Sequence, residues 1–544
     1  MMSKSPLIIL IFSVLLIVGC QKDEPTDPIP PPPEPPIEAS TPDMLPNMDE
    51  TSMWEVVDIR KDNSIGKLVS QSIQGLVNKD AASLYLIHAD HHYDLLNENG
   101  QNFEEIETVS DFNSPAAKTL LIRYKEKINK IYIWDPNKDW TWNIGLMLGA
   151  QNDGIPLTKE LSDWFIDNGF DGEVQDIRNT WSNRIEAYRW AITNLLPNCS
   201  NEVIFSAGLR DDWLDNPWRI FDYAYATNGF TFWLDDEDSS ESQVIDEIAQ
   251  IGDYPVGTPV MGYAQSGDDL LKIVNKYGIG YVVSDYYANG SIWSSLSDKS
   301  NENSWTQEDG KAVQVQDGKI YVSVIISDGD NIQFDQNSLF TNWFNDPARG
   351  LIPVGTTLGA ALADIDPMLF NWFYENKTSN DELLAGPSGF QFIYLDDYPD
   401  TYLNDWLALN KNWMKYCGFK TACVWHATWN SNKFDKYILT SGLSGLFDGN
   451  DKVGTQVKDN VAVINQGEHI WEKGQVYSHL SSVNADENSP KFLNIYLIAA
   501  SYGEGNLLFT NLNEEVDKLN TEYPGVYEFI LPKDMAATVV EYNN

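Results

Sequence analysis

The chain has 544 residues, too many for one ordinary hydrophobic core, so two or more domains are expected. Its 42% hydrophobic and 12% aromatic content is that of a globular protein. Against 36 Lys and Arg stand 80 Asp and Glu, a formal net charge of −44 that repels phosphate backbones and argues against nucleic acid and strongly anionic polymers as partners.

From the N-terminus, Lys4 precedes the apolar run LIILIFSVLLIVG, which ends at Cys20 and is short for a membrane-spanning helix. Residues 1–20 read as a signal peptide, and Leu16-Ile17-Val18-Gly19-Cys20 resembles a bacterial lipobox that would lipidate Cys20. An ordinary signal peptide with a chance cysteine is the alternative. The acidic QKDE that follows resembles a surface-export signal, which points to an outer-membrane lipoprotein at the cell surface of a Gram-negative bacterium. Residues 21–48, rich in proline, read as a stiff tether. Contact with the membrane is expected only through this anchor. Cys199, Cys417 and Cys423 are an odd number with no CxxC pair, so no disulfide framework or zinc site is indicated.

Residues 49–300 repeat one pattern. In SIQGLVNKDAASLYLI, LGAQNDGIPLT, YAYATNGFTFWL and VNKYGIGYVVS a helical stretch meets a short polar or Gly break and continues as an apolar strand. This predicts divergent α/β units around a shared sheet. Residues 301–317 are polar and aperiodic, a linker. Residues 318–544 alternate the strands IYVSVIIS, LIPVGTTL, GFQFIYL, TACVWHA, SGLFDG, VAVIN, FLNIYLIA and VYEFILP with helix-length stretches. That alternation predicts a covered parallel sheet closed as a β/α barrel, with one of the eight strands surplus.

Barrel chemistry sits where strands end. Strand one ends in Asp328, Asp330 and Asn331, strand three in Asp396 and Asp397, and strand four in Trp425, His426 and, nearby, Trp429. Asp448 ends strand five; Gln466, Glu468 and His469 follow strand six, and Tyr502 and Glu504 follow strand seven. An acidic and aromatic rim suits a neutral hydroxylated ligand. In an extended strand Asp328 and Asp330 project to one face roughly 7 Å apart; if Gly329 adopts a conformation closed to other residues they converge further. Repulsion raises the pKa of one of the pair, useful for a general base and its helper. A solvated Asp-Gly turn or a Ca²⁺ loop is the alternative, Ca²⁺ being compatible but not required. His88, His91 and His92 in HADHH read as a polar strand-end loop before a metal site, and Trp213, Trp218 and Trp233 as core before stacking platforms.

IQGLVNKD (73–80), WRIFDYAYATNGFTFWLD (218–235), PVMGYAQSGDDLLKIVNKYG (259–278), YVSVIISDGDNIQF (321–334) and GPSGF (386–390) together resemble the GxGYxYP family, classed with glycoside hydrolases of gut-bacterial polysaccharide utilisation systems. The resemblance implies an N-terminal part of divergent repeats, a seven-stranded C-terminal β/α barrel and a site in the cleft between them. It implies an inverting glycoside hydrolase with a glycan substrate and association with polysaccharide-uptake proteins. The catalytic set it implies is Asp328, Asp330 and an acid from GYAQSGDDL, where Asp268 and Asp269 stand in place of Glu; Asp269 is favoured. The strand-end rim, read from the residues themselves, offers Asn331, Asp396, Asp397, Trp425, His426 and Trp429 as the candidate substrate-binding set. In Gly389–Leu395 the family signature keeps its first Gly and last Tyr, has Phe for Tyr, and lacks the second Gly and the Pro. A non-catalytic surface glycan-binding lipoprotein is the rival reading.

Overall fold

The computed structural model describes residues 43–108, 114–209, 219–297, 305–449, 454–502 and 507–544. Cys20, most of the tether, Trp213, Trp218 and Glu504 lie outside them.

The N-terminal part contains three small parallel sheets, not one. Strands β1 (Glu50–Asp58), β2 (Ala82–Ile87) and β3 (Phe103–Glu105) pair in the order β2-β1-β3. Strands β4 (Lys130–Ile133), β5 (Gly154–Leu157) and β6 (Glu173–Asp176) pair as β5-β4-β6. Strands β7 (Ser200–Ser206), β8 (Gly229–Phe232), β9 (Pro259–Gly262) and β10 (Gly280–Val283) pair as β10-β9-β7-β8. The expected shared sheet is divided because two helices are buried nearly all round. Helix Ser64–Asn78 has every residue from Leu68 onward buried and touches β2 and β5; helix Trp140–Asn152 is buried from Thr141 to Gly149 and touches β5 and β8. Such helices belong between layers. The helix–break–strand repeats are as read, but Gly278 alone supplies the left-handed residue; Asp153 and Asn228 supply it in two others.

The C-terminal sheet comprises β11 (Ile320–Ile326), β12 (Val354–Leu358), β13 (Asp381–Ala385), β14 (Thr421–Val424), β15 (Gly445–Asp448), β16 (Gln456–Lys458), β17 (Val461–Asn465), β18 (Glu468–Ile470), β19 (Lys491–Leu497) and β20 (Tyr527–Phe529). Its order is β16-β17-β15-β14-β13-β12-β11-β19-β18, with β20 also on β11 and only β16 antiparallel. The chain joins β17 to β18 through Gln466 and Gly467, so the pairings return to their start; as one interrupted strand, β17 and β18 make seven positions. A Cβ on Gly467 would stand 1.7 Å from the Asn494 carbonyl, so only glycine fits this crossing. The protein is thus α/β throughout, with a large C-terminal parallel sheet.

Two strand expectations are corrected. Strand three is Asp381–Ala385, whose acids disguised it. Asp381 is paired with Arg349 at 2.6 Å, while Glu382 accepts from Thr421 Oγ1 and the Lys533 amide, both at 2.6 Å, so both can be buried. GFQFIYL is instead the loop after β13, and it fastens the two parts together. Phe392 exchanges backbone hydrogen bonds with Tyr281 of β10, Gln391 Nε2 donates to the Gly257 carbonyl at 2.6 Å, and the Tyr394 amide donates to Asn275 Oδ1 at 3.0 Å. Glu468 and His469 belong to β18 and do not simply follow strand six. Linker residue Gln307 is buried and bonds both the amide and the carbonyl of Leu383.

Candidate active site

The stretch Asp328-Gly329-Asp330-Asn331 leaves the end of a fully buried strand, β11. Its left-handed residue is Asp328 (φ 70°), not Gly329. Gly329 answers a different need: a Cβ there would lie 1.6 Å from the Thr357 carbonyl of β12. The loop is tied over that strand by Gly329 N–H to Thr357 Oγ1 at 3.1 Å and Gly359 N–H to the Gly329 carbonyl at 2.7 Å.

This fold gives the two aspartates different surroundings. Asp328 Oδ2 accepts from Ser327 Oγ at 2.9 Å and from the Ala500 amide at 3.0 Å; burial raises its pKa and these donors oppose the rise. Asp330 is partly buried, and desolvation, followed by the charge of Asp328, pushes its carboxyl up to about 7. Of the pair, Asp328 is the carboxylate with hydrogen-bond donors and Asp330 the one pushed toward neutral pH. Asp330 lines a cavity of about 10 Å³ with Tyr281–Val283 of β10, Gly359, Pro387 and Phe390–Phe392. That is room for about one water molecule, and its walls come from both parts of the chain.

Behind Asp330 lie acids that sequence reasoning missed. Asp335 is fully buried with neither carboxylate oxygen hydrogen-bonded among the described residues; burial, then Asp330 and Asp366, holds its pKa well above the carboxylate range. Asp366 caps helix Pro367–Asn376 by accepting from the Leu369 amide at 3.1 Å, accepts from Tyr287 Oη at 3.2 Å, and is raised by burial to about 7. Gln336 bonds both the amide and the carbonyl of Ala288, fixing this acidic wall to the third sheet's unit.

Residues 318–523 match the family described as "GxGYxYP putative glycoside hydrolase C-terminal domain". Residues 201–295 match "GxGYxYP third domain", and 128–199 match "GxGYxYP_N second domain". The chain belongs to the GxGYxYP family. The two N-terminal GxGYxYP matches coincide with the β7–β10 and β4–β6 sheets. A crystal structure of a protein from Bacteroides thetaiotaomicron VPI-5482, described as "a putative hydrolase", has the same fold, with a TM-score of 0.77 at 19% identity over 94% of this chain and 98% of that one. No curated protein matches the chain.

The other residues singled out in this GxGYxYP chain fall in several places. Asp269, favoured as the third acid, starts helix Asp268–Asn275 and is drawn to Lys272 at 2.9 Å, half exposed. Its neighbour Asp268 accepts instead from the hydroxyl of Tyr394, in the loop after β13. From Tyr394 a ring wall runs to His426 (centroids 3.8 Å) and Phe392 (5.4 Å), and from Phe392 to Trp425 (6.3 Å). Phe392 also lines the Asp330 cavity, so Asp268 and Asp330 share a wall without touching. Asp396 accepts from Thr428 through its amide (2.9 Å) and hydroxyl, a loop-holding role, and Asp397 is exposed. Asn331 starts the turn into Ile332–Phe334; Trp429 packs on Phe434 and receives Lys458 over its ring. Trp233 and Tyr502 are buried, and the Tyr502 hydroxyl donates to Glu515. His88 and His92 are buried and His91 partly so; burial holds His88 at about 3, His91 at about 4 and His92 well below its ordinary value, all neutral. Among the described residues Cys199, Cys417 and Cys423 are free thiols, and no group of three or more His, Cys, Asp or Glu is arranged to hold a metal.

Gly386, just past β13, has no room for a side chain: a Cβ would lie 2.3 Å from Asp330 Cβ. Gly386→Ala is expected to displace Asp330 and lower turnover about 100-fold, since a shift near 1 Å costs that much. Rates beside a far-ultraviolet spectrum of unchanged shape check it.

Proposed function

We propose that this protein is a glycoside hydrolase acting on a neutral polysaccharide or oligosaccharide with inversion of configuration. One observation carries the reading: in a small cavity walled by both parts of the chain lies a carboxyl that burial pushes up to about 7, beside a hydrogen-bonded carboxylate. Asp330 activates water and Asp328 orients it and offsets developing charge. Protonation of the leaving oxygen falls to the Asp268–Asp269 pair, with Asp268, the one that reaches the C-terminal loop, as donor and Asp269 its Lys272-bound neighbour. The names of the family and of the similar crystal structure support the class. The rim of carboxylates and rings at Phe392, Trp425 and His426 suits a sugar's hydroxyls and apolar face.

The rival, a glycan-capturing protein without turnover, is favoured by the pairing of Asp269 with Lys272 and by Asp where Glu is expected. Attachment to an outer membrane through Cys20, with residues 21–48 as tether, belongs to either reading. Among the described residues no helix is long and apolar enough to cross a membrane. Incubation with a panel of neutral glycans tests the proposal. Release of reducing ends, with the first-formed anomer inverted by proton NMR, is expected; binding without release selects the rival.

A further inference from the structure

We propose that the groove beside β18 is a second sugar-binding subsite, which makes the substrate a chain of several neutral residues and not a disaccharide. This inference rests on the hydrolase reading and names the extent and charge of its substrate.

The groove holds about 520 Å³ and is lined by Glu468, His469, Trp471, Gln475, Ser478 and His479. A volume of that size accommodates a small ligand. Trp471 is 50% exposed, although its backbone is held firmly: its amide and that of Glu472 both donate to Gln475 Oε1, at 2.9 and 3.2 Å. Those bonds engage the Gln475 carbonyl oxygen, so its NH₂ is the group it can offer a ligand in the groove. The Glu468 carboxylate is exposed and the His479 side chain partly so, both on the wall of the groove. An indole face for stacking, one acceptor and two donors within one groove is the set that binds a pyranose ring.

The groove opens on the same end of the sheet as the candidate active site. The Ile498 amide donates to the Ile470 carbonyl at 2.9 Å, and two residues on the Ala500 amide donates to Asp328 at 3.0 Å. His469 stands between the two sites, its ring 5.8 Å from Trp425 and 5.2 Å from Tyr496, and Tyr496 is electrostatically coupled to Asp328 and Asp330. A glycan placed at the mouth of the Asp330 cavity can therefore run along Trp425 and His469 onto Trp471. Glu468 on the groove wall, within a chain of net charge −44, selects neutral sugars over uronic acids.

Affinity electrophoresis of the full chain in gels containing β-glucan, xylan, mannan, galactan or polygalacturonate tests this, with Asp330→Asn as background so that no glycan is consumed. Retardation by at least one neutral polymer is expected, and none by polygalacturonate. Adding Trp471→Ala is expected to weaken that retardation about tenfold with an unchanged melting temperature, and Glu468→Gln to weaken it less. Equal retardation with and without Trp471, retardation by no neutral polymer, or retardation by polygalacturonate as strong as by the neutral ones would each overturn the subsite. If the parent cleaves a neutral glycan while Trp471→Ala binds it undiminished, this subsite alone is wrong. If no glycan is cleaved, the failure lies with the hydrolase reading.

Discussion

Asp330→Asn is expected to lower kcat about 1,000-fold on whatever glycan the parent cleaves, while the protein melts at the same temperature or higher. The rate loss follows from removing the carboxyl of the cavity, pushed up to about 7, a contribution of about 10²–10⁴. The stability result follows from the same burial. At neutral pH the folded state bears the cost of desolvating part of a negative charge at Asp330 beside that of Asp328, and an amide of equal size removes it. Loss of rate without loss of stability separates a catalytic acid from a structural one. A variant that keeps more than a tenth of parental kcat, or that melts well below the parent, contradicts the assignment. Asp328→Asn is expected to gain less stability than Asp330→Asn, because the Ala500 amide and Ser327 hydroxyl, which oppose the burial that raises this carboxyl, would lose a charged acceptor.

The second large effect is on stability against pH. Burial raises Asp330, Asp366 and Glu382 to about 7 and Asp222 to about 6, and holds Asp335 well above the carboxylate range. Each of these carboxyls binds its proton more tightly folded than unfolded. Their stabilisation is therefore complete below the unfolded value near 4 and is lost as pH rises through 6 to 7. Acids with the opposite shift, such as Asp58 and Asp176, are at least partly exposed and bonded to arginines, and their contribution fades only as pH falls below about 4. Self-repulsion from the net charge adds to the first trend. The melting temperature is expected to be higher near pH 5 than near pH 8, on the order of 5 °C. A flat profile, or a maximum near pH 8, would show that the acidic wall behind Asp330 is solvated.

The sequence was most readable where chemistry and secondary structure coincide. YVSVIISDGDN reads as a buried strand ending in acids, and it is one. The α/β alternation and the helix–break–strand repeats were equally plain, because apolar strands and helical periods are local properties. What stayed hidden depends on neighbours distant in sequence. DELLA reads as a charged loop until Arg349, Thr421 and the Lys533 amide arrive from elsewhere to satisfy its two acids. GFQFIYL has a strand's composition but spends its backbone and side-chain polar groups on Tyr281, Gly257 and Asn275 of the third unit. Asp335 lies on a π-helical turn after the DGDN loop and looks like any surface acid; only tertiary burial makes it notable. Asp366, before Pro367, carried a readable helix-cap signal but nothing that marked it as a neighbour of Asp335. Between Asp268 and Asp269 the choice turned on one residue of helix phase, which places Asp269 with Lys272 and Asp268 with Tyr394.

The central claim is that carboxylates from the third α/β unit and from the end of β11 act on the same glycosidic bond. A mutant cycle in kcat on a cleaved glycan tests it most directly, comparing the parent, Asp330→Asn, Asp268→Asn and the double variant. Groups that work as one unit fail together, so the double variant is predicted to lose about as much as Asp330→Asn alone, about 1,000-fold. Asp268→Asn at the parental rate, or losses that simply multiply in the double variant, would contradict the account.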